Sequence, residues 1–178
     1  DLPAFPRSTM DGFAVMASST FGASEANPAY LNVVGEVEMG AAATISIQPG
    51  QACRITTGGM LPQGADSVLM VEHTDELDEQ TIEAYRSVAP GQHVLSIGED
   101  VQAGQLVLSS GQPIRPQEAG LLAALGIESI SVFKKPVIGI ISTGDEIVPI
   151  SQNPEAGQIR DVNTYTLAGY VRRIGGTP

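Results

Sequence analysis

Residues 136–146 have the sequence P-V-I-G-I-I-S-T-G-D-E. A near-continuous run of β-branched residues that closes in a polar turn predicts a strand buried on both faces, as in a parallel sheet. The turn is rich in side-chain oxygens, from Ser142 and Thr143 to Asp145 and Glu146. The stretch therefore predicts the opening of an α/β domain.

A helix is predicted after this strand, from Thr164 to Ile174. Asn163 is placed to cap its N-terminus, and Gly175 favours its end. One parallel strand and one helix cannot bury their own apolar faces, because a parallel strand needs neighbours on both sides and helices over both faces. We therefore expect the chain to be a fragment of a longer protein.

Composition and charge narrow the class of protein. The chain has 178 residues, 42% of them hydrophobic, which is enough for one to two compact domains. Its formal net charge of −11 argues against nucleic acid or an anionic membrane surface as a partner. No apolar run approaches the roughly 20 residues of a spanning helix, and no signal-like segment is evident, so we expect a cytoplasmic protein. Cys53 is the only cysteine, which excludes an intrachain disulfide and predicts a packed core thiol.

Short strand candidates dominate the first two thirds of the chain. Their residues alternate with a period of two, and they are separated by Gly, Pro and Ala turns; the candidates are 31–33, 35–40, 44–47, 51–57, 67–71, 94–95 and 105–108. The acidic stretch from Glu72 to Glu83 predicts a solvated hairpin tip rather than a metal site. A helix from Pro116 to Gly126 and a strand from Ile127 to Phe133 follow. This succession predicts a sandwich or barrel-like β domain.

Three carboxylate positions are candidate sites: Asp11, the pair Glu99 and Asp100, and the pair Asp145 and Glu146. Asp11 precedes a glycine, so it could equally do no more than bond its own backbone in a turn. The last pair is the best placed, because ligands of open α/β sheets sit outside the carboxyl ends of strands. Carboxylate and hydroxyl oxygens suit Mg²⁺, whose shell is completed by waters and substrate phosphate.

A glycine-rich loop occupies residues 57–66, T-G-G-M-L-P-Q-G-A-D. Such a loop can present backbone N–H groups to an anion. It lacks the lysine and the strict spacing of a phosphate-binding P-loop, so a purely structural loop is the alternative.

Several motifs stand in the order seen in one enzyme family. They are S-T-M-D-G-F-A-V at residues 8–15, the segment 50–66, G-E-D at 98–100, L-G at 125–126, S-T-G-D-E at 142–146 and G-Q-I-R-D-V-N at 157–163. With these motifs the chain resembles the molybdopterin molybdenumtransferase family, which includes MoeA of bacteria and the E domain of gephyrin. The resemblance runs over essentially the whole chain.

The resemblance implies a mixed α and β fold class. A β-rich subdomain, residues 11–104, would be inserted into an elongated α+β subdomain for linking and dimerisation, residues 1–10 and 105–135. Residues 136–178 would be the truncated start of an α/β, molybdopterin-binding domain.

The resemblance also implies a role in molybdenum cofactor biosynthesis. Family members insert molybdate into adenylylated molybdopterin with release of AMP, and they use Mg²⁺. The expected partners are a second copy in a homodimer and the enzyme that adenylylates molybdopterin, with no nucleic acid and no membrane. Activity is expected only in the full-length dimer, and the fragment alone is expected to be inactive.

Site residues follow from the motifs that match, and they would line a cleft between subunits. The resemblance implies catalytic roles for Asp11, Thr57, Asp100 and Glu146, with Asp11 and Glu146 also at the metal. It implies molybdopterin contacts for Ser142, Thr143, Gly144, Asp145 and Asn163.

Two departures from the family pattern bear on activity. Phe13 stands where the family usually has tyrosine, and Val162 stands where serine or threonine is common. These departures leave open a paralogue that has lost activity. The resemblance also leaves open an alternative function, a non-catalytic dimerisation or scaffold module of the same family. Such a module would not depend on Asp11, Thr57 or Glu146.

Overall fold

The computed structural model describes all residues, 1–178, and the chain divides into two compact units. The first unit, residues 1–126, contains β1 (Arg7–Ser8), β2 (Gly12–Val15), β3 (Ala29–Glu36), β4 (Gln51–Ile55), β5 (Ser67–Met70), β6 (Thr74–Asp78), β7 (Thr81–Ala84), β8 (Val94–Leu95) and α1 (Pro116–Ala124). The second, residues 127–178, contains β9 (Ile147–Val148), β10 (Ile159–Arg160) and α2 (Asn163–Arg173). The mixed α and β class is confirmed. The finer division into subdomains stays a prediction.

A six-stranded sheet organises the first unit, in the order β5-β2-β4-β3-β7-β6. All its neighbours are antiparallel except β3 and β4, which run parallel. These six strands thus form one mixed sheet with two edges, β5 and β6, and β1 pairs with β8 separately, where the sequence predicted a sandwich or barrel. In the pairing of β2 with β4, Gly12 lies opposite Ile55. This register brings Asp11, just before β2, and Thr57, just after β4, to the same end of the sheet.

The core lies in two clusters. Because successive residues of a strand point to opposite faces, Phe13 and Val15 of β2 pack with Leu31, Leu69 and Ile82. Ala14 packs into the second cluster, together with Cys53, Ile55, Val68 and Leu61. Every residue of β2 is buried, so the strand that leads out of Asp11 is held on both faces.

The prediction of a packed cysteine is confirmed, because Cys53 has no exposed surface. Its burial raises the pKa of the thiol.

Phe13 is also fully buried, and the Arg54 guanidinium lies 4.9 Å from the centre of its ring. The same guanidinium forms an ion pair with Glu76 at 2.6 Å.

The acidic stretch lies in a hairpin, as predicted, but it forms both strands of the hairpin and not only its tip. Strands β6 and β7 pair antiparallel, and the residues of β6 after Thr74 are exposed.

The predicted helix α1 is confirmed as well. The Glu118 side chain bonds both the backbone N–H and the guanidinium of Arg115, which closes a capping box at the start of the helix.

The second unit corrects the prediction of a buried strand at residues 136–141. Only Val137 forms a bridge, to Thr177, and Ile141 is 87% exposed. The physical reason is that β-branched residues favour extended backbone, but a strand also needs a neighbour, and here only the segment at Thr177 pairs with it. The strands in this unit are β9 and β10, which pair parallel.

Three other strand predictions are wrong for the same reason. Residues 44–47, 105–108 and 127–133 form no strand, apart from a single bridge between Ser46 and Gln63. Leu106 and Phe133 are 78% and 80% exposed. The predicted cap of the second helix is also wrong. Asn163 is the first residue of α2, and the Thr164 N–H is bound by the Asp161 carboxylate at 3.0 Å. Neither α1 nor α2 has the length and apolar character needed to cross a membrane.

Candidate functional site

Asp11 and Thr57 meet at the end of the sheet where β2 begins and β4 ends. The Thr57 backbone N–H donates to Asp11 Oδ1 at 2.7 Å, and the Thr57 hydroxyl donates to the same oxygen at 2.9 Å. Asp11 Oδ2 receives no hydrogen bond from the chain, and the residue is exposed. Asp11 therefore does more than bond its own backbone: it offers one free carboxylate oxygen from a fixed position.

The donors on Asp11 also set its charge. The backbone N–H of Thr57, and after it the Thr57 hydroxyl, lower the pKa of the Asp11 carboxyl below its ordinary value. Hydrogen bonds to the charged form of an acid favour that form. Asp11 is therefore ionised throughout the neutral range, as a metal ligand or an electrostatic group must be.

The glycine-rich loop uses most of the N–H groups of its first residues within the chain itself. Its N–H groups at Thr57, Gly58, Gly59 and Leu61 donate to acceptors of the chain itself. An anion would need such donors to be free. The loop instead fixes the position of Thr57 and, through Thr57, that of Asp11.

Asp100 lies close to the segment that leads into Asp11. Its carboxylate is 3.9 Å from the Arg7 guanidinium, with both side chains about half exposed. Its backbone N–H donates to Leu2 O at 3.0 Å. No hydrogen bond or ion pair joins Asp100 to Asp11 or Thr57, so the first unit brings two of its three predicted catalytic residues into contact.

The predicted site residues of the second unit are exposed: Ser142, Thr143, Gly144, Asp145, Glu146 and Asn163. Backbone hydrogen bonds hold the turn, from Ile147 N–H to Gly144 O at 3.1 Å and from Ile159 N–H to Glu146 O at 2.8 Å. The Glu146 carboxylate folds over Gly144, since a Cβ added there would lie 2.7 Å from Glu146 Oε2. Gly144, with φ of +150°, thus allows this position of the Glu146 side chain.

Asp161 is a residue that the sequence prediction missed. Thr164, through its hydroxyl and then its N–H, lowers the pKa of the Asp161 carboxyl below its ordinary value. The Thr164 N–H donates to Asp161 Oδ1 at 3.0 Å, so Asp161 fixes the start of α2, where Asn163 lies. The available signal was an acidic residue three positions before Thr164, a common arrangement at a helix N-terminus.

The donor set fits a Mg²⁺ ion only in part. No group of three or more His, Cys, Asp or Glu side chains could hold a metal ion. Mg²⁺, however, is usually bound through one or two carboxylates together with waters and substrate phosphate. The free Oδ2 of the ionised Asp11 is suited to be one such ligand.

The family model for the MoeA N-terminal region (domain I and II) matches residues 1–126. The chain belongs to the MoeA family. Among its MoeA relatives, the molybdopterin molybdenumtransferase of Bacillus subtilis (strain 168) is 38% identical over 180 residues, which cover 99% of this chain and 42% of that protein. Molybdopterin molybdenumtransferase 2 of Mycobacterium tuberculosis (strain ATCC 25618 / H37Rv) is 39% identical over 174 residues, covering 98% and 43%.

A solved MoeA structure shares the fold. The molybdopterin biosynthesis moeA protein from Pyrococcus horikoshii OT3 superposes with a TM-score of 0.90 at 39% identity, over 100% of this chain and 47% of that one. The resemblance inferred from the motifs is confirmed by these similarities. The chain spans less than half the length of each of these relatives.

Proposed function

We propose that the chain contributes part of the active site of a molybdopterin molybdenumtransferase, acting in molybdenum cofactor biosynthesis. The enzyme would insert molybdate into adenylylated molybdopterin and release AMP. The observation that carries the proposal is the carboxylate of Asp11, which Thr57 holds through Oδ1 while Oδ2 is free. Relatives that share this family are named molybdopterin molybdenumtransferase, which supports the reaction class.

In this proposal Asp11 acts as an ionised ligand and orienting group. Splitting a phosphoanhydride depends more on positioning and charge stabilisation than on a covalent nucleophile. Mg²⁺, when bound, would supply the positive charge that stabilises the leaving phosphate. Thr57 holds Asp11 in place and lowers the pKa of its carboxyl, which favours the ionised form. Asp100, whose carboxylate lies near Arg7, is proposed as a further catalytic residue.

The second unit would supply the remaining contacts. Glu146 is proposed as a second carboxylate at the metal. The molybdopterin would be bound by Ser142, Thr143, Gly144, Asp145 and Asn163, whose side chains and backbone are exposed to a ligand. With a net charge of −11, binding a polyanionic substrate also requires cations, from Mg²⁺ and from residues outside this chain.

The assembly and its location are part of the same proposal. We infer a cytoplasmic homodimer whose activity needs the full-length protein, so the 178-residue chain alone would be inactive. The division into residues 1–10 with 105–135, residues 11–104 and residues 136–178 is proposed with it. The enzyme that adenylylates molybdopterin is the proposed supplier of substrate.

Molybdate-dependent AMP release by the full-length protein tests this proposal. Asp11→Ala should reduce turnover by about a hundredfold or more, the scale of a positioned charged group, without loss of the fold. Asp78→Ala is the matched control, since Asp78 lies in the exposed acidic hairpin. It should leave turnover unchanged.

Two results would contradict the catalytic proposal. One is an Asp11→Ala protein as active as wild type. The other is a wild-type protein that binds molybdopterin and releases no AMP, which would favour the dimerisation or scaffold module and direct attention to Phe13 and Val162.

A further inference from the structure

Ser8 is an unusual residue in the first unit, because it is polar and yet only 2% exposed. Burying a hydroxyl is unfavourable unless it is hydrogen-bonded. The Ser8 hydroxyl donates to Met10 O and accepts the Met10 N–H at 3.2 Å. The side chain therefore closes a local turn whose next residue is Asp11.

The backbone of Ser8 is fixed to the glycine-rich loop. Its N–H donates to Gly59 O at 2.9 Å, and its carbonyl accepts the Gly58 N–H at 2.8 Å. Thr57 immediately precedes Gly58 and makes both hydrogen bonds to Asp11. Two short segments, residues 8–11 and 57–59, are thus joined at both ends, by Ser8 at one end and by Asp11 at the other.

We propose that Ser8 is a positioning residue, which holds Asp11 in the one place where both donors of Thr57 reach the same carboxylate oxygen. Between the two joined ends, the Thr9 N–H donates to His93 O at 3.0 Å, whereas Met10, the residue before Asp11, is held by the Ser8 side chain. Ser8 itself touches no reacting atom. Its effect on turnover rests on the function proposed above, whereas its effect on the contact between Asp11 and Thr57 does not.

A double-mutant cycle with Asp11 in the full-length protein separates positioning from a general loss of stability. Ser8→Ala should lower kcat for AMP release by about tenfold to a hundredfold with little change in KM, because small displacements of a catalytic group reduce turnover on that scale. In an Asp11→Asn background, Ser8→Ala should lower kcat by less than about twofold, since no ionised carboxylate is left to position. An equal loss in both backgrounds would overturn the proposal.

Amide hydrogen exchange of the same protein gives a second measurement that is independent of activity. Ser8→Ala should speed exchange of the Thr57 amide by about tenfold, the scale of a hydrogen bond to a charged group, relative to the Cys53 amide in β4. Unchanged exchange at Thr57 would overturn the proposal. If wild type releases no AMP, the proposed function fails, and the exchange result still decides the role of Ser8.

Ser67→Ala is the matched control. Ser67 is fully buried, and its hydroxyl lies 3.3 Å from Val15 O and 3.0 Å from Asp66 Oδ1. It pairs with Val15, at the opposite end of β2 from Asp11. Loss of this hydroxyl should lower stability but leave kcat and the relative exchange of the Thr57 amide unchanged. If Ser67→Ala changed kcat or this exchange as much as Ser8→Ala does, Ser8 would have no specific role.

Discussion

The two units of the chain hold their candidate site residues in different ways. In the first, the Asp11 carboxylate receives two hydrogen bonds from Thr57, and a six-stranded sheet whose strand β2 is buried throughout supports both residues. In the second, residues 142–146 are all exposed and are held mainly by backbone hydrogen bonds of one turn. The S-T-G-D-E motif was the more conspicuous of the two in the sequence. A motif that is easy to recognise in the sequence is therefore not always one whose residues are held firmly by the rest of the chain.

The largest expected effect comes from adding a methyl group to one glycine in each unit of the 178-residue chain. A Cβ on Gly12 would lie 2.0 Å from Leu69 O, and its φ of +153° is unfavourable for alanine, so Gly12→Ala should lower the free energy of unfolding by about 3 kcal/mol or more. Gly139 has no atom within 4 Å of an added Cβ. Gly139→Ala should therefore stay within about 1 kcal/mol of wild type.

Urea unfolding followed by circular dichroism measures both glycine variants. Equal losses at Gly12 and Gly139 would show that the first unit is not the more tightly packed of the two.

Removing one isoleucine side chain from each unit should give the next largest difference. Ile55 is 1% exposed and packs in the second core cluster, so Ile55→Ala should destabilise the chain by about 2–5 kcal/mol. Ile141 is 87% exposed, and Ile141→Ala should change stability by no more than about 0.5 kcal/mol. Urea unfolding measures both variants. An Ile141→Ala protein that unfolds at a lower urea concentration than Ile55→Ala would reverse the comparison.

The smallest effect concerns acid stability in the first unit. Hydrogen bonds from the Arg115 side chain lower the pKa of Glu118 from its ordinary 4.5 to about 2. A lowered pKa stabilises the fold fully above pH 4.5, and this contribution is lost as the pH falls from 4.5 through about 2. Glu118→Gln should thus be less stable than wild type at pH 6, with the gap narrowing at pH 3.

Thermal unfolding at these two pH values measures the gap. Glu79→Gln, in the exposed turn between β6 and β7, is the control and should match wild type at both. A gap for Glu118→Gln that stays constant or widens on acidification would argue against an ionised Glu118 at the start of α1.

Local features of the first unit were predictable from the sequence. Alternating residues and Gly or Pro turns indicated β4 and β5, and the run of acidic residues indicated a hairpin tip near the turn between β6 and β7, because such signals act over a few neighbours. The contact between Asp11 and Thr57 was not predictable in this way. These residues are 46 positions apart, and only the register of β2 against β4 brings them together.

The errors in the second unit have the same origin. The residues from Val137 to Ile141 have strong β propensity, but propensity supplies no partner strand, and only Val137 finds one. At the helix start, Asn163 and Asp161 are both suitable capping residues. The choice of Asp161 depends on where the preceding backbone turns, which the sequence pattern does not encode at single-residue precision.

The buried thiol of Cys53 has a practical consequence. It is the only sulfhydryl of the chain, and it lies in β4 opposite Ala14 of β2. Burial blocks access of a reagent to the sulfur and raises the pKa of the thiol, so little reactive thiolate is present while the two strands stay paired. Its rate of alkylation therefore reports how often this strand pair opens. The same local opening of β2 from β4 would separate Asp11 from Thr57, so alkylation of Cys53 would measure both.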